Sequence, residues 1–535
     1  MKKKSFLIVL GVCIGTTGFV WGANDKPLYK NPDAPIENRV EDLLRRMTLQ
    51  EKVLQLQNKP VGRIDEIERV FGGQSYGCTH EMGQTAEECA RIYNELQNYM
   101  LTKTRLGIPI LTAVEGIQGI LQNNSTLFPH AIAQGSTFNP GLIERMTEAA
   151  GAEAATMGIH QVLSPVFDIA RELRWGRVEE TYGEDPYLIA EMGIGFVKGY
   201  QKHRITCTPK HFVAHGTPTG GLNCAFVSGG EREFRSMHLY PFARVIKEAD
   251  PLCIMSCYSA YDGIPVSASP YYMTDVLRDE LGFKGYVYSD WGAIEMLKTL
   301  HYTAHNSEEA AMQAFTAGLD VEASSNCYPL LADLIKEGKL DEEILNESVR
   351  RVLYVKFKMG LFEDPYGERY AHCKMHPQEG VQLSKEISDE SVVLLKNENG
   401  LLPLNAEKLR SVAVIGPNAD QVQFGDYTWS RNNKDGMTPL AGIRQLLGDK
   451  VTVRYEKGCS LVSLDTSGIK KAVEVARQSE VAIVFCGSAS AALARDYKSS
   501  TCGEGFDLND LNLTGAQSQL IKEVYETGTP VVLVL

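Results

Sequence analysis

The chain has no Cys-x-x-Cys pair and no cysteine and histidine cluster at zinc spacing, although it holds twelve cysteines among 535 residues. Eleven remain once an N-terminal segment with Cys13 is set aside, an odd and scattered set that argues against a disulfide scaffold and a structural metal alike. Cys253 and Cys257 lie in an apolar run and read as small core residues. Positive charge is also scarce: 54 Lys and Arg stand against 67 Asp and Glu, a formal net charge of -13. That balance argues against nucleic acid and suits a soluble protein handling a neutral substrate. No apolar run beyond the N-terminus is long enough to span a bilayer. The glycine spacing of a dinucleotide loop is missing too, since Gly416-Pro417-Asn418-Ala419-Asp420 follows a strand-like run but reads as a turn.

What is present is ordinary globular composition, 44% hydrophobic and 23% charged, at a length that accommodates two or more domains. Met1-Lys2-Lys3-Lys4, the apolar run from Phe6 to Val20 and the small residues Gly22 and Ala23 read as a secretory signal over residues 1–23. Gly11, Gly15, Thr16, Thr17 and Gly18 interrupt the run, which speaks against a retained anchor. Val12 before Cys13 is a poor fit to a lipid-attachment box. Export to the periplasm, with no stable membrane insertion, is the expectation.

Val40, Leu43, Leu44 and Met47 recur at helical spacing, and Thr48 with Glu51 forms a capping box that starts another helix. Apolar, β-rich runs then alternate with helical segments. The runs are Ile108 to Val114, Gln161 to Phe167, Ile205 to Phe212, Leu252 to Tyr258, Gly285 to Ser289 and Ala317 to Val321; the helices include Glu144 to Met157, Glu184 to Gln201 and Leu345 to Met359. Such a repeat over roughly 260 residues predicts a (β/α) barrel or a large doubly wound sheet. Several runs end in polar groups: Glu115, then Asp168 with Arg171, Arg174 and Arg177, then Lys210 and His211, Tyr258, and Asp290. In a parallel sheet these ends share one mouth, where burying so much charge requires mutual pairing or a polar ligand. Asp290, after Gly285-Tyr286-Val287-Tyr288-Ser289 and before Trp291-Gly292, is the first candidate for chemistry; the alternative is a cap for the following helix.

A second α/β unit is predicted from the runs Val412 to Ile415, Val451 to Tyr455, Val481 to Cys486 and Val531 to Leu535, with a helix from Gly468 to Gln478. The last run reaches Leu535 in mid-strand, so an incomplete sandwich is expected, one in which strands needed for full activity could be lacking.

The ordered motifs resemble glycoside hydrolase family 3, of the β-glucosidase and β-xylosidase kind. They are Arg39-Val40-Glu41-Asp42-Leu43-Leu44 with Met47-Thr48-Leu49-Gln50-Glu51-Lys52, Phe128-Pro129 with Ser136-Thr137-Phe138-Asn139, Arg174-Trp175-Gly176-Arg177 through Tyr182-Gly183-Glu184-Asp185-Pro186, Lys210-His211-Phe212, Ser289-Asp290-Trp291, and Ser391 to Asn397 with Leu401 to Leu404. The resemblance implies an α/β fold: a (β/α)8 TIM-like barrel over residues 24–367, a connector over 368–404 and an α/β/α sandwich over 405–535, with the active site in the cleft between the domains.

It further implies a retaining mechanism, with Asp290 as nucleophile and Glu504, in Cys502-Gly503-Glu504-Gly505-Phe506-Asp507, as acid/base. By the same resemblance Glu115, Arg177, Lys210, His211 and Tyr258 hold the hydroxyls of the terminal sugar and Trp291 lines the site. Retaining hydrolysis needs one ionised and one protonated carboxyl, and Lys210 and Arg177 are expected to keep Asp290 ionised. Without the family, Glu504 reads as a solvated acid on a glycine loop. Two features depart from relatives. Val213-Ala214-His215-Gly216, with Gly221 where an aspartate would stand, disfavours the N-acetylglucosaminidase branch and makes His215 structural. Glu115 replaces the aspartate of many β-glucosidases, which leaves glucoside and xyloside both open. The expected activity is removal of terminal β-D-glucose from an oligosaccharide or β-glycoside, without cofactor or metal. β-D-Xylosidase activity and a non-catalytic sugar-binding role are the alternatives.

Overall fold

In the computed structural model the described residues are 27–80, 85–367, 375, 377–430, 436–491 and 499–535; the signal segment and Cys13 lie outside them. The helix Ile36–Arg46 and the reciprocal capping box of Thr48 and Glu51 form as their pattern predicts.

Six strands and two extended segments then close into one ring. The strands are β1 (Cys78–His80), β2 (Leu111–Val114), β3 (Gln161–Val162), β4 (Thr206–Cys207), β5 (Cys253–Met255) and β6 (Tyr286–Tyr288). β1 to β4 pair in order and β5 pairs with β6, all parallel. Backbone bonds seal the gaps: Met255 N donates to Pro209 O at 3.1 Å, Ser289 N to Val321 O at 2.8 Å, Glu322 N to Leu56 O at 2.9 Å and Lys59 N to Cys78 O at 2.8 Å. A sheet closed in this way has no edge, and it forms the expected (β/α) barrel. Helices such as Ala86–Lys103, Pro140–Thr156, Pro186–Gln201, Tyr240–Ala249, Ser307–Ala317 and Glu342–Lys358 wrap it, their apolar faces sharing one core with the strands.

The strands are shorter than their apolar runs. Pro165 and Pro209 offer no N–H, so pairing gives way to loops that carry the polar residues to the mouth. The run from Ala317 to Val321 is instead a helix end at Ala317, a left-handed Gly318 and then a segment bridged to β6. Ten cysteines are described, and Cys253 and Cys257 among them are free and buried in the barrel wall.

In the second unit β7 (Ser411–Ile415), β8 (Thr452–Glu456), β9 (Val481–Phe485) and β10 (Val531–Val534) form one parallel sheet in the order β8-β7-β9-β10. Alternation along β7 sends Val412 and Val414 toward Leu440, and Ala413 and Ile415 toward Ile469, Ala472 and Leu520 on the other face. The segment read as a connector holds a helix, Gln378–Ser391, which is docked on the barrel through buried Leu383 and Ile387 and an Arg145–Glu386 ion pair. Among the described residues no helix is long and apolar enough to cross a membrane.

Candidate active site

Asp290 stands one residue beyond the Ser289 amide that pairs with the last segment of the barrel, at the carboxyl end of the ring. The helix Ala293–Thr299 has Gly292 as its N-cap and no side-chain cap bond, so Asp290 does not cap it. Its Oδ1 accepts the Trp291 N–H at 2.7 Å, while Oδ2 is buried, has no hydrogen bond and lies 3.5 Å from His211 Nε2. A buried carboxylate oxygen left unsatisfied is costly, and the cost is intelligible where that oxygen reacts. Burial pushes the Asp290 carboxyl up to about 6, against the pull of Arg177 and Lys210. Desolvation outweighs the two cations, which oppose it in the expected direction, and a carboxyl at about 6 is largely ionised at neutral pH.

Arg177 is fully buried and gathers the site around itself. Its Nε and Nη2 reach Glu180 at 2.7 and 2.9 Å, Nη1 reaches Glu504 Oε1 at 3.2 Å, and Nη2 lies 3.1 Å from His211 Nε2. Guanidinium only donates, so Nε2 of His211 must accept, and Nδ1 carries the proton toward Asp168 Oδ2 at 2.6 Å. Burial and the neighbouring Arg177 keep this imidazole neutral. Lys210 Nζ bonds both Glu115 oxygens at 3.0 Å, and burial raises the Glu115 carboxyl to about 7 despite that ammonium. Burial raises the Tyr258 phenol well above its usual range, and the charges of Asp290 and Glu504 add to it. Trp291 is 45% exposed at the rim, its indole edge-on to His80 at 5.1 Å.

The other carboxylate comes from the second domain. Gly503 N donates to Gly176 O at 2.8 Å, Leu508 N to Arg174 O at 2.7 Å, and Asp507 accepts from Gly176 N at 2.9 Å and Asn223 N at 2.7 Å. The approach is so close that a Cβ on Gly176 would stand 2.2 Å from Gly503 O, which is why glycine precedes Arg177. Gly503 and Gly505 take positive φ, 105° and 79°, and turn Glu504 inward. Its side chain is 20% exposed and bonded by Arg177 and, at 2.8 Å, by the Tyr427 hydroxyl, which is not the setting of a solvated loop acid.

All eight residues singled out from the sequence thus meet in or at the rim of one cleft. Arg171 and Arg174 do not join them; they pair outward with Glu233 and Glu172. His215 is buried and packs edge-on against Trp175, His211 and Tyr258, with Nδ1 at 2.9 Å from Ser259 Oγ. Sequence reasoning missed Tyr427 and Asp426, and the partners Glu180 and His80. Only Glu180, beside the Arg177 motif, left a signal.

The chain matches the glycosyl hydrolase family 3 N-terminal domain over residues 48–355 and the family 3 C-terminal domain over residues 392–535. It is similar to a β-xylosidase of Formosa agariphila, 31% identical over 100% of this chain and 71% of the relative. It is also similar to a periplasmic β-glucosidase of Salmonella typhimurium, 32% identical over 93% of this chain and 67% of the relative. Among solved structures, a β-glucosidase from Erythrobacter marinus superposes with a TM-score of 0.87 at 30% identity, over 95% of this chain and 72% of that one. A glucose complex of a Listeria innocua β-glucosidase gives 0.82 at 30% identity, over 93% and 69%.

Proposed function

The chain belongs to glycosyl hydrolase family 3, and from that premise we propose that it is a retaining, exo-acting β-glycosidase that removes terminal β-D-glucosyl residues from short oligosaccharides, with Asp290 as nucleophile and Glu504 as acid/base. The observation that carries this reading is the single guanidinium of Arg177, which holds Glu504 with one nitrogen and reaches with another the histidine beside Asp290. Asp290 Oδ2 attacks the anomeric carbon while Glu504 gives its proton to the departing oxygen, so that a glycosyl ester forms and an alcohol leaves. Arg177 then faces the carboxylate left behind. Glu504 next takes a proton from water, whose oxygen displaces Asp290 from the anomeric carbon. Glu115, Arg177, Lys210 and His211 are buried donors and acceptors, which suits the hydroxyls of a terminal sugar. The signal-like N-terminus and the periplasmic relative support export to the periplasm.

Nuclear magnetic resonance of the first-formed sugar tests the stereochemistry: the β-anomer is expected, and the α-anomer would overturn the mechanism. kcat/KM, which reports free-enzyme groups, should fall on the acid side with an inflection at about pH 6, because Asp290 attacks only when ionised. Substituting Lys210 by methionine removes one cation opposing the shift and should move that inflection to higher pH.

A β-xylosidase reading has one specific observation behind it. Glu115 is buried and bound at both oxygens by Lys210, so its side chain, one methylene longer than aspartate, is held in place. Glucose carries a hydroxymethyl group that xylose lacks. Glu115→Asp is therefore expected to raise the glucoside to xyloside ratio of kcat/KM by about tenfold, the scale of one methylene; an unchanged ratio on the paired aryl glycosides would remove Glu115 from the account of specificity.

A further inference from the structure

The loop after β7 delivers a residue that no catalytic motif above includes. Tyr427 has φ of 54°, a left-handed backbone that a bulky aromatic adopts only when its surroundings impose it. Here they do. Asp426 Oδ1 accepts the Tyr427 N–H at 2.8 Å and Oδ2 accepts the Glu504 N–H at 3.2 Å, so one carboxylate fixes both residues' backbones. The Asp426 carbonyl accepts from Gln118 Nε2 of the barrel at 3.2 Å and faces His130 Nε2 at 3.1 Å. The Tyr427 ring lies under the Lys210 ammonium, 5.2 Å from its centroid, and the hydroxyl donates to Glu504 Oε2 at 2.8 Å.

Glutamate has several rotatable bonds, and a general acid must present its proton along one direction. Arg177 at Oε1 and Tyr427 at Oε2 hold the carboxyl from both ends. We infer that Tyr427 is the positioning residue of the acid/base, and that Asp426 sets its place by tying its loop to the Glu504 loop. This rests on the proposed role of Glu504.

The test compares two glycosides of whichever sugar the wild type hydrolyses: a dinitrophenyl glycoside, whose leaving group needs no proton, and an alkyl glycoside, whose leaving group does. Tyr427→Phe should lower kcat/KM on the alkyl glycoside at least about tenfold more than on the dinitrophenyl one, since only the former draws on general acid catalysis. Asp426→Asn, of the same shape, should give the same split. Equal losses on both substrates in both variants, or no loss on either, would overturn the inference, because a merely structural role lowers both together. Mechanism-based trapping with a dinitrophenyl 2-deoxy-2-fluoroglycoside separates the two levels. If the wild type is not labelled at Asp290, the proposed mechanism fails; if wild type and variants are labelled alike and the split is absent, only the inference about Tyr427 fails.

Discussion

Asp290→Ala is expected to lower turnover of aryl β-glycosides by on the order of 10^4 to 10^6-fold, the scale seen when a covalent nucleophile is removed. The variant frees the Trp291 N–H that Oδ1 accepts, whereas Oδ2 carries no hydrogen bond, and the two cations and the histidine around it remain tied to Glu115, Glu180 and Asp168. The fold should therefore persist, and a thermal melt close to wild type is part of the prediction. Azide supplies a further check. It fits the space of a carboxylate, so in the alanine variant it should attack the anomeric carbon from the face Asp290 occupied and yield the α-glycosyl azide from an activated β-glycoside. Turnover that survives the substitution removes Asp290 from the chemistry. A wild type that binds sugar without any turnover leaves the sugar-binding alternative standing.

How far the sequence could be read depended on where each residue's partner lies. The strand into Asp290 was legible because Tyr286, Val287 and Tyr288 are all buried, as a stave covered on both faces requires. The first segments of the ring, Leu56 to Lys59 and β1, were not, since Gln57, Asn58, Lys59, Thr79 and His80 give no apolar run and their pairing, with Glu322 on one side and β2 on the other, exists only in the closed ring. Arg177 could be singled out by its motif, but its partner Glu504 is 327 positions away, and the Tyr427 hydroxyl that shares it is 77 positions from Glu504. Contacts of that separation leave no periodicity in the chain. The ionisation of Asp290 shows the same limit: its cationic neighbours could be guessed, whereas the depth of burial that outweighs them is a property of the assembled cleft.

Glu504→Ala carries the other large expected effect, and its pattern differs from that of Asp290. With an alkyl leaving group, which must be protonated as it departs, turnover should fall by about 10^3 to 10^4-fold. With a dinitrophenyl leaving group the first step needs no acid, so the glycosyl ester on Asp290 should form rapidly and then accumulate, because no base remains to activate water. Burst kinetics follow, and KM falls with kcat. Added azide needs no base; it should attack the ester from the face of the departed aglycone, restore turnover and give the β-glycosyl azide, opposite to the Asp290 variant. Arg177 is the point of vulnerability in this reasoning, since the alanine leaves its Nη1 without the Glu504 carboxylate while Nε and Nη2 stay bound to Glu180. Two of its three nitrogens thus remain paired, and the guanidinium is expected to stay in place. An α-azide, or a failure of azide to restore turnover while the ester accumulates, places the acid/base elsewhere, whereas the β-azide puts Glu504 on the aglycone side of the bond, facing Asp290 across the sugar.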